Sequence, residues 1–376
     1  SLMRNYGDDG RSEVIVDDAG YVYLASSTQS PDFPVTPGVF QPTKGDASSS
    51  VSRQGRGSRA YYNQQDGVVI KLKPDLSGVV WSSFLGGDAD DAAFVLKLDT
   101  QGNIYVAGAT ASTNLMRLAA NPAGVIQNSF QGGDADGFIA EITNDGSRLL
   151  RLTYLGTSGA DEIYGIALDR NGFVYVCGTT TGNWPVINAT YFNQGAKQFI
   201  AKLKPDLSGY VYSTTFGSTN TSIPNISPVA FLVDRCENVY VSGWGGGVCY
   251  NNNYYEIAGT NGMPVTPDAI KNTTDGRDFY FFVLKRDATG ILYGSYFGQN
   301  GGCTDHVDGG TSRFDPNGII YQAICANCGG GAIFPTTPGV WSPSNPTLRP
   351  GNPYQGAMCN EVALKIAFNL SGVHVG

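Results

Sequence analysis

The chain predicts an all-β fold, a β-propeller of four-stranded antiparallel blades, on three observations. An aspartate and a tyrosine six residues apart recur five times, as Asp17/Tyr23, Asp99/Tyr105, Asp169/Tyr175, Asp234/Tyr240 and Asp315/Tyr321. The octapeptide Lys-Leu-Lys-Pro-Asp-Leu-Ser-Gly occurs twice without change, at 71–78 and 202–209. The tyrosines stand 82, 70, 65 and 81 residues apart, so a constant core is copied while particular loops absorb the extra length. Composition agrees, because Gly 50, Pro 19, Tyr 21 and Phe 18 describe short aromatic-rich strands cut by turns. The 376 residues would ordinarily suggest two or three domains. Repeats that share one core override that prior and predict a single domain over 1–376.

The third repeat shows the elements in order. Strand A at 164–169 ends on the turn Asp169-Arg170-Asn171-Gly172, and strand B follows at 173–178. After a loop come strand C at 198–203, a hairpin at 204–209 and strand D at 210–216. In that hairpin Pro205 presets φ and Gly209 is expected to supply positive φ. The same order predicts blades at about 8–86, 87–156, 157–217, 218–298 and 299–376. A solenoid is disfavoured, since its repeats are usually about half this length. Residues 2–7 resemble a D strand, while 371–376 resemble only the start of one. Either the N-terminal strand closes a five-bladed ring, or the five blades belong to a larger, seven-bladed one. The chain is accordingly expected to begin partway through a repeat, with any targeting segment upstream.

Four motifs carry a family likeness: a Gly-Asn-Val-Tyr-Val type strand at 103–108, Phe-Pro-x-Thr-Pro-Gly-x-Phe at 33–40, Ala-Lys-Leu at 201–203, and a Tyr-x-x-Tyr-Leu-Gly-Gly type strand at 153–156. In these the chain resembles the SBBP β-propeller repeats of large bacterial surface proteins. Blade two departs from the pattern with Asn121-Pro122-Ala123-Gly124, and blade four has an enlarged loop. The stretches Val241-Ser242-Gly243-Trp244-Gly245-Gly246, 306–315 and Cys325-Ala326-Asn327-Cys328-Gly329-Gly330 also resemble gliding-motility-associated, type IX secreted proteins of Bacteroidota. That likeness implies an extracellular or cell-surface location and a parent protein with further blades and adhesive modules. It implies no catalytic residues.

Antiparallel order places the B–C and D–A connections at one end of each blade. The B–C loops are long, at about 27–66, 110–135, 180–197, 244–277 and 325–359, so this end is the expected interaction face. Within them Thr36-Pro37-Gly38, Thr266-Pro267-Asp268 and Thr337-Pro338-Gly339 read as short helical turns with Thr as N-cap. Phe40, Ile270 and Trp341 are then expected to fold back as apolar plugs. The insertion at 44–65 is Ser, Gly and Arg-rich and reads as a flexible linker. The singular loop is in blade four, where Trp244, Tyr250, Asn252, Tyr254 and Tyr255 set flat rings beside amides, as sugar recognition requires. A polar loop with tyrosines covering the blade edge is the plainer account of them.

Seven cysteines on a chain that looks exported predict disulfides, and the odd count leaves at least one unpaired. Cys249, Cys303, Cys325, Cys328 and Cys359 share the loop end. Cys249–Cys303 is the expected bridge, with Cys359 joined to Cys325 or Cys328, and Cys177 a buried thiol. Zinc held by Cys303, His306, Cys325 and Cys328 is the competing reading, which an oxidising compartment disfavours. Asp88, Asp90, Asp134 and Asp136 are tempting calcium ligands, but the closing glutamate of an EF-hand is missing. Turn closure through local backbone bonds accounts for them without a cofactor.

The net charge is −8 and no basic block occurs, so nucleic acid is not an expected partner. No run of about 18 apolar residues spans a membrane. The two histidines form no catalytic motif, and neither a Gly-x-Ser-x-Gly elbow nor a sialidase-type Ser-x-Asp-x-Gly-x-x-Trp box is present. Carboxylates brought together around a propeller axis leave a polysaccharide-active enzyme as the third reading. The first is a non-enzymatic scaffold whose loops bind a glycan, a surface protein or a neighbouring domain. The second is a structural spacer.

Overall fold

The computed structural model describes residues 11–45, 65–247, 257–307, 312–327, 333–343 and 360–368. Blade one contains β1 (Glu13–Val16), β2 (Val22–Thr28), β3 (Asp66–Leu72) and β4 (Val79–Leu85). Blade two contains β5 (Asp91–Leu98), β6 (Ile104–Thr110), β7 (Asp136–Ile142) and β8 (Leu149–Leu155). Blade three contains β9 (Asp161–Leu168), β10 (Val174–Thr180), β11 (Gln198–Leu203) and β12 (Tyr210–Phe216). Blade four contains β13 (Ser227–Val233), β14 (Val239–Trp244), β15 (Phe279–Leu284) and β16 (Ile291–Phe297). Blade five contains β17 (Ser312–Phe314), β18 (Ile320–Ala326) and β19 (Asn360–Ile366). Each sheet follows sequence order, and the fifth has three strands among the described residues. The fold is the all-β, five-bladed β-propeller that the repeats predict. The two segments invoked for ring closure, 2–7 and 371–376, lie outside the described residues.

Five A–B turns have one construction. The Oδ1 atoms of Asp17, Asp99, Asp169, Asp234 and Asp315 each accept backbone N–H groups from the second and fourth residues onward, at 2.8–3.0 Å. In blades one and four the repeat tyrosine donates to the other oxygen, Tyr23 Oη to Asp17 at 2.9 Å and Tyr240 Oη to Asp234 at 3.1 Å. The Asp/Tyr spacing therefore records a turn braced from the following strand.

The C–D hairpins depart from expectation. In each described hairpin the fourth residue is left-handed, Leu76 (φ 57°), Gly146 (71°), Leu207 (58°) and Ala288 (52°), joined in blade four by Asp287 (58°), whereas Gly78 and Gly209 are not. The Thr-Pro segments depart too. They are β-turns, and the Thr36 hydroxyl accepts the Ser82 N–H of β4 at 3.1 Å instead of capping a helix. The reason is that the loop runs back beside strand D. Thr36 N–H donates to Ser82 O, Asn121 to Leu150 O, Ile187 to Ser213 O, and Thr266 to Gly294 O, all within 3.1 Å. Each of these four D strands thus has its outer edge covered by its own loop, which protects it from stray strand pairing.

The chain divides into two compact units, one built chiefly from Arg11–Ile187 and Phe199–Ser213, the other from Asn188–Gln198 and Thr214–Gly376. In the first, Tyr23, Trp81, Phe138 and Tyr154 form one buried cluster, and Phe94, Ile139, Ile163, Trp184 and Phe199 another. The Trp184 and Phe199 rings stack with centroids 3.5 Å apart. In the second, Trp244, Phe279, Phe281, Tyr293 and Ile324 make the core. Cys177 in β10 is 1% exposed and a free thiol, as expected.

Replacing Asp234 with Ala removes the acceptor of two backbone N–H groups, the Asn238 side-chain amide and one phenol. Chemical denaturation should show a loss of about 1–3 kcal/mol. A loss below about 0.5 kcal/mol, the size of a plain surface change, would refute the bracing role.

Candidate functional site

The connections differ sharply in length at the two ends of each blade. A–B turns occupy 17–21, 99–103, 169–173, 234–238 and 315–319, and C–D hairpins 73–78, 143–148, 204–209 and 285–290. The B–C connections run over 29–65, 111–135, 181–197, 245–278 and 327–359. In each antiparallel sheet they leave from the end that also carries the D–A connection. The loop end is therefore the candidate site, and its floor is a set of buried polar joints.

At each of four joints the residue that opens or immediately precedes strand C fills the space over a D–A glycine. A Cβ on Gly86 would lie 2.3 Å from Asp66, on Gly156 2.2 Å from Asp136, on Gly217 2.2 Å from Gln198, and on Gly298 2.6 Å from Asp278. Only glycine admits that approach. A second carboxylate arrives near the start of the next blade. Asp91 accepts from Gly87 N–H at 2.7 Å, Thr110 Oγ1 at 2.5 Å and Ser112 Oγ at 2.8 Å. Asp161 accepts from Thr157 N–H at 2.7 Å, and Asp305 from Gln299 N–H at 2.8 Å. In the second unit one joint is built from amides: Gln198 Oε1 accepts Asn225 N–H at 2.5 Å, and Asn225 Oδ1 accepts Ser218 N–H at 2.9 Å.

These carboxyls are fully buried. Burial, aided by the charge of Asp66 and opposed by the hydrogen-bond donors, pushes Asp91 up to about 8. Burial likewise pushes Asp136 and Asp305 up to about 7. Asp278 is raised by burial although Lys271 Nζ lies 2.6 Å away. Groups sealed from solvent cannot reach a substrate, so the chemistry of these joints is structural. Burial favours the protonated form at Asp91, Asp136 and Asp305.

The predicted site residues scatter. Trp244 ends β14 with no exposed surface and its ring 5.6 Å from that of His306, so it is a core side chain and no stacking platform. Its predicted companions Tyr250, Asn252, Tyr254 and Tyr255 lie outside the described residues. Cys303 is 1% exposed and disulfide-bonded, while its expected partner Cys249 lies outside the described residues, as do Cys328 and Cys359. Cys325 lies near the end of β18, and the bridges expected for it and for Cys328 both involve Cys359, which lies outside the described residues. A disulfide at Cys303 also removes that residue from the zinc reading. His306 pairs with Cys325 through two backbone hydrogen bonds, and its Nδ1 lies 2.9 Å from Thr304 O.

Three of the calcium candidates accept hydrogen bonds from B–C loop residues, two of them about 25 residues away and not within a local turn. Asp88 accepts Thr113 N–H at 2.8 Å and its hydroxyl at 2.9 Å, Asp90 accepts Gln65 N–H at 3.1 Å, and Asp136 accepts Gln131 N–H at 2.5 Å. Asp134 is half-buried beside them in sequence. Among the described residues no three His, Cys, Asp or Glu side chains are grouped to hold a metal ion.

Of the expected plugs, Phe40 packs on the core of the first unit, but Ile270 is 52% exposed and Trp341 wholly exposed. The anchoring role falls instead to the residue before the earlier proline, Trp184, Met263 or Phe334, each under 8% exposed. Trp341, with Ile333 and Val340 also exposed, is the apolar surface that motif recurrence concealed.

Residues 152–184 match the family model described as SBBP, beta-propeller repeat. No curated protein sequence matches the chain. Among solved structures, one from Dyadobacter fermentans of unknown function is 12% identical, with a TM-score of 0.44, covering 86% of this chain and 76% of its own. The K499G mutant of NanB sialidase from Streptococcus pneumoniae is 11% identical, with a TM-score of 0.40, covering 84% of this chain and 52% of its own. BamB from Moraxella catarrhalis is 11% identical, with a TM-score of 0.26, covering 82% and 81%. Nothing about binding or reaction transfers from likenesses this distant.

The joints make stability depend on pH. Asp91, Asp136 and Asp305 keep in the folded state a proton that the unfolded chain releases near pH 4. Their contribution to stability is therefore greatest near and below pH 4, falls as pH rises to about 7–8, and levels off above. Each carboxyl contributes on the order of 1 kcal/mol per pH unit within that window. Asp136→Asn, which imitates the amide joint, should flatten the decline in denaturation midpoint between pH 5 and 8. An unchanged slope would show that the joint does not titrate.

Proposed function

We propose that this propeller is a non-enzymatic binding and scaffold module of a larger adhesin-like surface or secreted protein, and that the loop end of its blades is the interaction face. The observation that carries this reading is the asymmetry of connections. Among the described residues the five A–B turns keep one length and the four C–D hairpins another, while the B–C loops at the other end vary freely. A rigid frame with one elaborated end is the arrangement by which loops acquire partners. Trp341, wholly exposed on such a loop, supplies a flat apolar ring suited to a sugar face or an apolar protein surface. The likeness to type IX secreted proteins of Bacteroidota supports a bacterial cell-surface setting, and the disulfide at Cys303 fits an oxidising compartment.

The spacer reading has its own observation. Parts of the B–C loops are committed to their own blade, as the bonds from Thr36, Asn121, Ile187 and Thr266 show. Loop length there serves edge protection as well as display.

Surface polysaccharides and extracellular proteins arrayed against the purified chain separate the two. The binding reading expects at least one saturable ligand and a ten-fold or greater loss with Trp341→Ala, whose exposure makes misfolding no explanation. A chain that captures nothing across the array is a spacer, and hydrolysis of an arrayed polysaccharide would overturn the non-enzymatic assignment.

A further inference from the structure

Lys71 of β3 meets a carboxamide from the next blade. Its Nζ lies 2.5 Å from Asn144 Oδ1, across 73 residues of sequence. The lysine is 9% exposed, and its Nζ stands over the rings of Tyr21 and Tyr23, 4.5 and 5.2 Å from their centroids. The Asn144 nitrogen is held as well, since Nδ2 donates to Tyr23 Oη at 3.0 Å and to Gly102 O at 2.6 Å. Tyr23 Oη in turn donates to Asp17 Oδ2 at 2.9 Å. An amine, an amide, a phenol and a carboxylate thus form one chain of contacts within the first unit.

The hairpin that carries Asn144 is fixed against blade one. Trp81 Nε1 donates to Asn144 O at 2.8 Å, and Phe40 N–H donates to Gly146 O at 2.9 Å. A Cβ on Gly146 would lie 2.4 Å from the Trp81 ring, so glycine is what lets the hairpin sit this close. The pairing is also singular. The second position of the four C–D hairpins is Pro74, Asn144, Pro205 or Arg286, and blade two alone has a carboxamide there. Lys202, which begins the second copy of the octapeptide, lies over Phe173 and Tyr175 at 4.8 and 4.9 Å in the same way. Its ion-pair partner, however, is the Asp169 carboxylate at 3.7 Å.

Burial lowers the Lys71 ammonium below its ordinary range and so favours the neutral amine, against the opposing charges of Asp17 and Asp145. A desolvated lysine amine is a nucleophile. The carbon it would attack is bonded directly to the oxygen it already touches. A contact held in this way replaces the encounter that a bimolecular reaction needs. One amide replaces another and ammonia departs, so the exchange needs neither an oxidant nor an activating group.

We infer that Lys71 and Asn144 form an intramolecular isopeptide bond, with Tyr23 and Asp17 as positioning residues. The neutral Lys71 amine attacks Asn144 Cγ, the Nζ–Cγ bond forms and the Cγ–Nδ2 bond breaks. One proton passes from Nζ to Nδ2, which leaves as ammonia. Burial holds the Tyr23 phenol protonated, its pKa pushed up to about 12, so it keeps Asp17 as acceptor while its oxygen orients Nδ2. The product ties strand C of blade one to the C–D hairpin of blade two with a link that reductant does not open.

The test is mass spectrometry of the full chain after denaturation, reduction and alkylation. The chain should weigh less than its sequence by one ammonia. Trypsin should leave Lys71 uncut and joined to the peptide that ends at Arg148. Lys71→Arg and Asn144→Ala should each restore the full mass. Tyr23→Phe keeps the ring but loses the contact to Nδ2, and should slow cross-linking after synthesis by about ten-fold or more; an unchanged rate would remove the positioning role. An unmodified wild-type mass with separate peptides overturns the bond, whatever the variants do. Ammonia loss confined to a linear peptide also overturns it, because a succinimide at Asn144 loses the same mass.

Discussion

The aspartate that closes each A–B turn accepts two backbone N–H groups, and in doing so it sets the register between the two strands it joins. Side chains alternate along a strand, so a slip of one residue would turn the core face of a blade outward. With the register held, tyrosine at the sixth position is delivered to the interior in the first four blades and, in two of them, back to the same carboxylate, while Tyr321 stays exposed. The remaining variation in the chain is tolerated because this short unit does not vary.

Joints between successive strands D and A rest on a second close approach. A glycine there leaves room for the head of strand C, and the polar group occupying that room is a carboxyl in three blades and an amide in one. The amide joint satisfies itself without a proton. The carboxyl joints take one up, since two buried acids cannot both be charged at low cost. Choosing acid over amide at these positions makes the fold sensitive to pH without adding any exposed titrating group.

The B–C loops do two kinds of work that sequence pattern alone does not separate. One stretch pairs with strand D of its own blade, and another reaches the hairpin of the next. Both were hidden in a motif, Phe-Pro-x-Thr-Pro-Gly-x-Phe, whose Thr-Pro step imitates a helix start. The alternative use of the Thr36 hydroxyl depends on the Ser82 amide being brought beside it from 46 residues away. No local rule could show that. The same is true of Trp244, which sits in a loop-like run of glycines but closes a strand in the core.

Blade number, strand order, the short turns and the long loops were legible in residue spacing, because they follow from local hydrogen bonding and from side-chain alternation within a few residues. The buried thiol at Cys177 was legible for the same reason, as a mid-strand position in an apolar run. Whether Lys71 meets a carboxamide, whether Trp341 packs or projects, and which acids hold protons were decided by tertiary structure alone. These outcomes depend on what the next blade places against a side chain, and two identical octapeptides whose leading lysines face an amide and a carboxylate show that no local sequence contains that information.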